Sequence, residues 1–272
     1  MKFLLLALGV AALGVFASSS AIARDFVVKP TPLDRMAEKE VDANVQSLSL
    51  FLRENPDGEL RYWAALALAE LGDDEAVPAL VEAAFDSDPV VRVGAVSALR
   101  EFSTDDAMRT IEAAVNDPSI LVASAAVTSL AYISNEKSVS GLTTASDRED
   151  LDLSVRRQAL NSLGQIESPA AMASLLRYRS STNLELRSEA IVGISRRGGE
   201  VGLDELFEVA LQEDLSESAR TKVTIHIEGI IGERLEPDGA YTQQQLKKNL
   251  AEWWRLNTGS TIEYPTRNEE VE

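Results

Sequence analysis

Three groups of residues in this 272-residue chain have the types and spacing for chemistry. Ser134 and Lys137 stand three apart, the spacing at which a lysine activates a serine for acyl transfer. His226 is the only histidine, so a Ser-His-Asp site has to be built around it. Asp147, Glu149, Asp150 and Asp152 crowd one short stretch and offer the hard oxygen ligands that calcium takes. Each group also has a plainer reading. No Lys-Thr-Gly follows Ser134, His226 is flanked by Ile225 and Ile227 inside a helical pattern, and the acidic run lacks the EF-hand spacing and its central glycine. With no cysteine and one histidine the usual zinc ligands are missing. The residues therefore predict no catalytic centre, no metal and no cofactor.

A fourth group is cationic and periodic. Arg61, Arg92, Arg156, Arg187 and Arg220 each follow an apolar residue and precede a small apolar residue and then Leu or Ile at helical spacing. The remaining copy keeps Ala126 and Leu130 but has Ala123 in place of Arg. Steps between equivalent positions are 31, 31, 33, 31 and 33 residues. That period marks stacked helical units, since two short helices and two turns fill it and neither helix buries its stripe alone. Gly72, Ser103, Ser134, Glu167 and Gly198 fall on the turn inside each unit, which explains Ser134 without chemistry. Leu80, Ile111, Leu142, Leu175 and Leu206 hold equivalent places on the second helices. Asp88-Pro89 and Asp117-Pro118 read as a capping carboxylate before a proline at the first helical position.

The phrase Asp88-Pro89-Val90-Val91-Arg92-Val93-Gly94-Ala95-Val96-Ser97-Ala98-Leu99 resembles the short HEAT repeats, in particular the HEAT-like type of phycobilisome lyases. The resemblance covers roughly Gly58 to Gly232. It implies an all-α, right-handed α-solenoid of about six two-helix repeats. It also implies that the repeated Arg is structural and pairs with an Asp of a neighbouring turn, for which Asp88 and Asp117 are available. The lyase activity of that family is the rival, enzymatic reading.

Charge is uneven along the chain. The whole carries −18, yet residues 151 to 200 hold seven Arg against five acids. Arg177, Tyr178 and Arg179 in that segment, and Trp254 near the end, are the candidate partner-binding residues. The two arginines suit a bidentate carboxylate or phosphate, and Trp254 is expected to point away from the stripe that holds Trp253. The acidic balance disfavours nucleic acid and anionic membranes as partners.

The ends frame the repeats. Lys2, an apolar run from Phe3 to Phe16 and small residues up to Ala23 read as a signal segment, 1–23, cleaved before Arg24. Loss of Lys2 leaves 25 cations against 44 acids, a net −19. The run is too short to span a membrane, although an uncleaved leader would make the protein an anchored envelope component. Residues 24–33 read as an extended leader and 34–57 as one capping helix. The repeats occupy 58–232, a loop and Trp-bearing capping helix 233–257, and a disordered acidic tail 258–272. The expectation is an exported, periplasmic or secreted, monomeric and non-catalytic scaffold. It would bind a protein or peptide along the concave face of its second helices.

Overall fold

The computed structural model describes residues 30–197, 202–235 and 243–258. The chain divides into Met1–Thr31 and Pro32–Glu272, and all of the described helices belong to the second unit. The signal segment, most of the leader, Gly198, Thr242 and the tail from residue 259 lie outside the described residues. Fourteen α-helices and no strand occur among the described residues, an all-α solenoid.

The first helices are α3 (Gly58–Leu71), α5 (Pro89–Leu99), α7 (Ile120–Ile133), α9 (Leu153–Leu163), α11 (Leu184–Arg196) and α13 (Glu217–Ile231). The second helices are α4 (Val77–Ala83), α6 (Asp105–Ala114), α8 (Val139–Asp147), α10 (Pro169–Tyr178), α12 (Leu203–Leu211) and α14 (Gln243–Thr258). First helices pack on one another in chain order, as do second helices up to α10 and again from α12, which makes two layers. Leu80, Ile111, Leu142, Leu175 and Leu206 are fully buried between them, as their register requires. At the internal turn Gly72 adopts φ 67 and Ser134 adopts φ 44, so that serine supplies a left-handed helix stop.

Three expectations about the ends and caps change. The amino-terminal cap is two helices, α1 (Pro32–Ala37) and α2 (Val45–Glu54), because Pro32 starts a helix and the Asn44 side chain caps the Ser47 amide to start another. α1 packs on α3, and α2 packs on both α3 and α4, so together they cover the open end of the first repeat. The helix bearing Trp253 and Trp254 packs on α12, in line with the second helices, and runs one residue further than expected, through Thr258. Asp88 does cap α5, but α7 begins only at Ile120, after Asp117-Pro118.

The carboxylate of Asp117 is used differently. Arg92 donates from Nη1 to the Asp86 carbonyl of the preceding turn and forms a two-point pair with Asp117 of the following turn, at 2.8 and 2.9 Å. Arg61 does the same between the Asn55 carbonyl and Asp86, so Asp86 rather than Asp88 is its partner. Asp88 is committed to its helix, where it accepts from the Val90 amide. One side chain thus staples two successive turns across a repeat. Burial by itself would raise the Asp117 carboxyl. The hydrogen bonds from Arg92 and the Ser119 amide, with the Arg92 and Arg148 charges, outweigh it and hold Asp117 below the ordinary carboxylate range. Asp86 is lowered against the same burial penalty, by the Asp88 amide and Arg61.

The third rung is inverted. Where Ala123 replaces Arg, the residue 25 further on is Arg148, and it reaches back to the Val115 and Asp117 carbonyls. Later rungs lose the pattern. Arg156 donates to the Ser146 carbonyl, Arg187 pairs with Glu208 at 3.1 Å, and buried Arg220 donates to the Ala210, Gln212 and Leu215 carbonyls. The apolar core divides at the same place. One cluster runs from Met36 to Ile194 and a second from Ile191 to Leu250, and α11 contributes to both.

Arg92→Ala is expected to destabilise the fold by about 1–3 kcal/mol, because it strands a half-buried carboxylate; urea unfolding at pH 7 measures this. The acid dependence has a fixed sign. Depressed carboxyl pKa values contribute stability that is complete above the unfolded value, about 3.9, and disappears as pH falls through the folded value. The urea midpoint should therefore hold from neutrality down to about pH 5 and drop below about pH 4. Asp117→Asn should flatten that drop.

Candidate functional site

The sequence candidates for catalysis are not brought together. Lys137 lies 2.6 Å from Asp105 on the preceding second helix, and that ion pair takes its ammonium. Ser134 sits at the left-handed end of α7, where backbone geometry selects the position. His226 meets Ser195 through Nε2 at 3.1 Å, and no carboxylate hydrogen bond to the ring is found among the described residues. Burial, with the nearby Arg196 charge, lowers the His226 pKa and favours the neutral ring.

The acidic run is distributed rather than focused. Asp147 accepts from Arg177 at 2.8 Å and from the Tyr178 hydroxyl at 2.6 Å, while Asp150 pairs with Arg148. Arg179 makes a two-point pair with Glu205 at 2.8 Å across the gap between α10 and α12. Arg177, Tyr178 and Arg179 therefore share one region but each already has an internal acceptor. An anionic partner would have to compete with Asp147 and Glu205, although both guanidinium groups keep substantial exposure.

Trp254 does not point away from the core. Fully buried Phe207 on α12 lies between the two indoles, stacked on Trp253 at 5.3 Å and tilted against Trp254 at 5.0 Å. Two residues about 100° apart on a helix reach one ring when that ring sits on the bisector between them. Trp253 also donates from Nε1 to Glu233. The pair closes the second core cluster.

A different surface carries an exposed aromatic in acidic surroundings. Residues 32 to 150 hold nine cations and twenty-three acids. Glu54, Asp74 and Glu75 are exposed at the end of α2 and at the start of the second helix of the first repeat. Phe85, in the turn after α4, is 71% exposed, the highest value among the large apolar side chains described. It stands between two grooves. One, of about 220 Å³, is walled by α2 and α4 with Arg53 and Glu82; the other, of about 390 Å³, is walled by α6 with Asp117 and Asn116. Sequence pattern does not single out Phe85, because exposure of one aromatic in an Asp-rich turn is decided by the packing of three helices. Arg148 was legible in principle: the one repeat without Arg has an Arg where the two repeats before it have Asp.

Two substitutions check these contacts. Trp254→Ala should cost about 2 kcal/mol, since a half-buried indole loses its contact with Phe207, and differential scanning calorimetry measures it. Arg179→Glu should lower the melting temperature, and adding Glu205→Arg should restore it.

The HEAT-repeat family matches this chain over residues 45–130 and 108–195. No curated protein sequence matches it. Among solved structures it is similar to an engineered protein, at 19% identity over 81% of this chain and 99% of the other, with a TM-score of 0.42. It is also similar to human deoxyhypusine hydroxylase in complex with glycerol, at 16% identity over 57% of this chain and 73% of that one, with a TM-score of 0.35. At these scores neither neighbour bears on activity. With its family match spanning more than half its length and its stacked helix pairs, the chain belongs to the HEAT-repeat family and is a helical repeat scaffold.

Proposed function

We propose that this protein is an exported, non-catalytic scaffold whose second-helix layer receives a cationic, extended or helical protein segment. HEAT repeats commonly mediate protein interactions, and elongated stacked surfaces suit partners of that shape. The observation that carries the reading is Phe85: an exposed aromatic anchor between two grooves in the most acidic part of the chain, where Glu82 pairs with Arg53 and Asp117 with Arg92 and a basic partner would compete for them. An aromatic seated in a basic partner, with carboxylates around it, is the usual form of a hot spot with a charged rim. A non-catalytic role is favoured because Ser134 stands at a left-handed helix stop, Lys137 pairs with Asp105, and Asp147 and Asp150 of the acidic run pair with arginines. Export rests on the leader pattern of residues 1–23, and none of the described helices is long and apolar enough to cross a membrane.

Crosslinking from the native envelope with the intact chain supplies the partner, and surface variants then locate its site. Phe85→Ala, and separately Asp74→Lys with Glu75→Lys, should each weaken binding about tenfold or more without a change in helical circular dichroism. Binding should also weaken as salt rises. If Arg177→Glu with Arg179→Glu abolishes binding while Phe85→Ala does not, the partner is anionic and the Arg177–Tyr178–Arg179 reading replaces this one. Sequencing the mature amino terminus tests export: Arg24 supports it, and Met1 supports an anchored protein.

A further inference from the structure

The first-helix layer opens between α11 and α13 into a groove of about 560 Å³, within the range of roughly 300–1,000 Å³ typical of small-molecule sites. Its lining reverses the charge of the chain. Arg196, Lys222 and the neutral ring of His226 line it and no acid does, in a protein of net charge −18, although Lys222 is paired to Glu189 beneath the surface. Lys222 is held in place from below. Its ammonium contacts Glu189 and donates to Asn161 Oδ1 at 3.0 Å, and Glu189, only 4% exposed, is itself gripped by Arg157 at 3.1 Å. An ammonium has three donors, and two are accounted for.

The rest of the lining is also rich in donors. Arg196 is exposed and has no ion pair or hydrogen bond among the described residues. Ser218 and Thr221 place hydroxyls on the same wall. His226 is oriented by Ser195, which leaves its second ring nitrogen available. Beside these groups the wall turns apolar. Ile225 is 63% and Ile230 50% exposed, and nothing lies within 4 Å of where a Cβ on Gly229 would stand. The guanidinium of Arg196 and the remaining ammonium donor of Lys222 call for an anion, and exposed isoleucines next to them call for an attached hydrocarbon.

We propose that this groove binds a small organic carboxylate with a short aliphatic chain, its carboxylate between Arg196 and Lys222 and its chain against Ile225 and Ile230. A carboxylate fits the planar fork of Arg196 by two parallel hydrogen bonds, and the apolar wall favours it over a phosphate. The groove shares no residue with those beside Phe85, so it stands independently of the scaffold reading.

The probe is hexanoate, titrated into the full chain by calorimetry, with hexylamine and inorganic phosphate as controls. Saturable one-site binding of hexanoate, with neither control binding, is the expected result. Arg196→Gln should weaken it about tenfold or more, as loss of a charge-assisted pair does. Ile225→Ser should also weaken it, and both variants should melt like the parent because both side chains are exposed. Lack of saturation at millimolar hexanoate overturns the proposal. So does phosphate binding as well as hexanoate, or unchanged affinity in both variants. An acidic peptide that binds where hexanoate does not would overturn the small-ligand assignment in favour of a peptide site.

Discussion

A repeat protein of this kind depends on one contact more than on any other: the arginine that ties the turn before its helix to the turn after it. Stacked helix pairs slide easily, because apolar burial is non-directional and tolerates small shifts of register. A guanidinium with donors fixed in a plane does not tolerate them. Arg61 and Arg92 each satisfy a carbonyl behind and a carboxylate ahead, so the turn at Asp86, which both reach, is held by two successive repeats. The pairs are partly shielded, with side-chain exposures of 11–20%, which strengthens them relative to surface pairs and makes each partner costly to lose.

That regularity has a limit, and the core shows where. From the fourth repeat the arginines turn to carbonyls or to a glutamate at another offset, and the buried cluster divides across α11. Near this division polar contacts take over. Arg179 and Glu205 bridge α10 to α12, and Arg157, Glu185, Glu189 and Lys222 link α9, α11 and α13. At Gly164 and Gly193 the chain beside α9 and α11 approaches so closely that a Cβ added at Gly164 would meet the Gly193 backbone at 2.8 Å. The two ends of the solenoid are thus held by different physics, ordered ion pairs at one and a buried charge network at the other.

The uneven charge of the chain follows the same division. The acidic excess lies on the regular repeats and the cationic groups gather at the irregular ones, where most have structural partners. A segment that looks like a basic docking patch in sequence is largely consumed by the fold. Arg196 is among the exceptions: it is exposed and has no ion pair among the described residues.

Sequence alone determined the architecture. The period of 31 to 33 residues, the helical stripes and the turn residues at Gly72 and Ser134 are local signals, and local signals survive into the fold because each repeat buries its stripe against a copy of itself. The residue types on those stripes also fixed which positions are buried, Leu80, Ile111 and Leu142 among them. What only the tertiary structure decided is which polar groups remain free. Asp86 and not Asp88 meets Arg61, Trp254 turns onto Phe207, and Asp147 takes up Arg177 and Tyr178, in each case because residues 25 to 47 apart are brought within hydrogen-bond or ring-contact distance by the stacking. Pairing over that distance depends on the rise and rotation of each repeat on the next, and these are set by side-chain packing that no local pattern encodes.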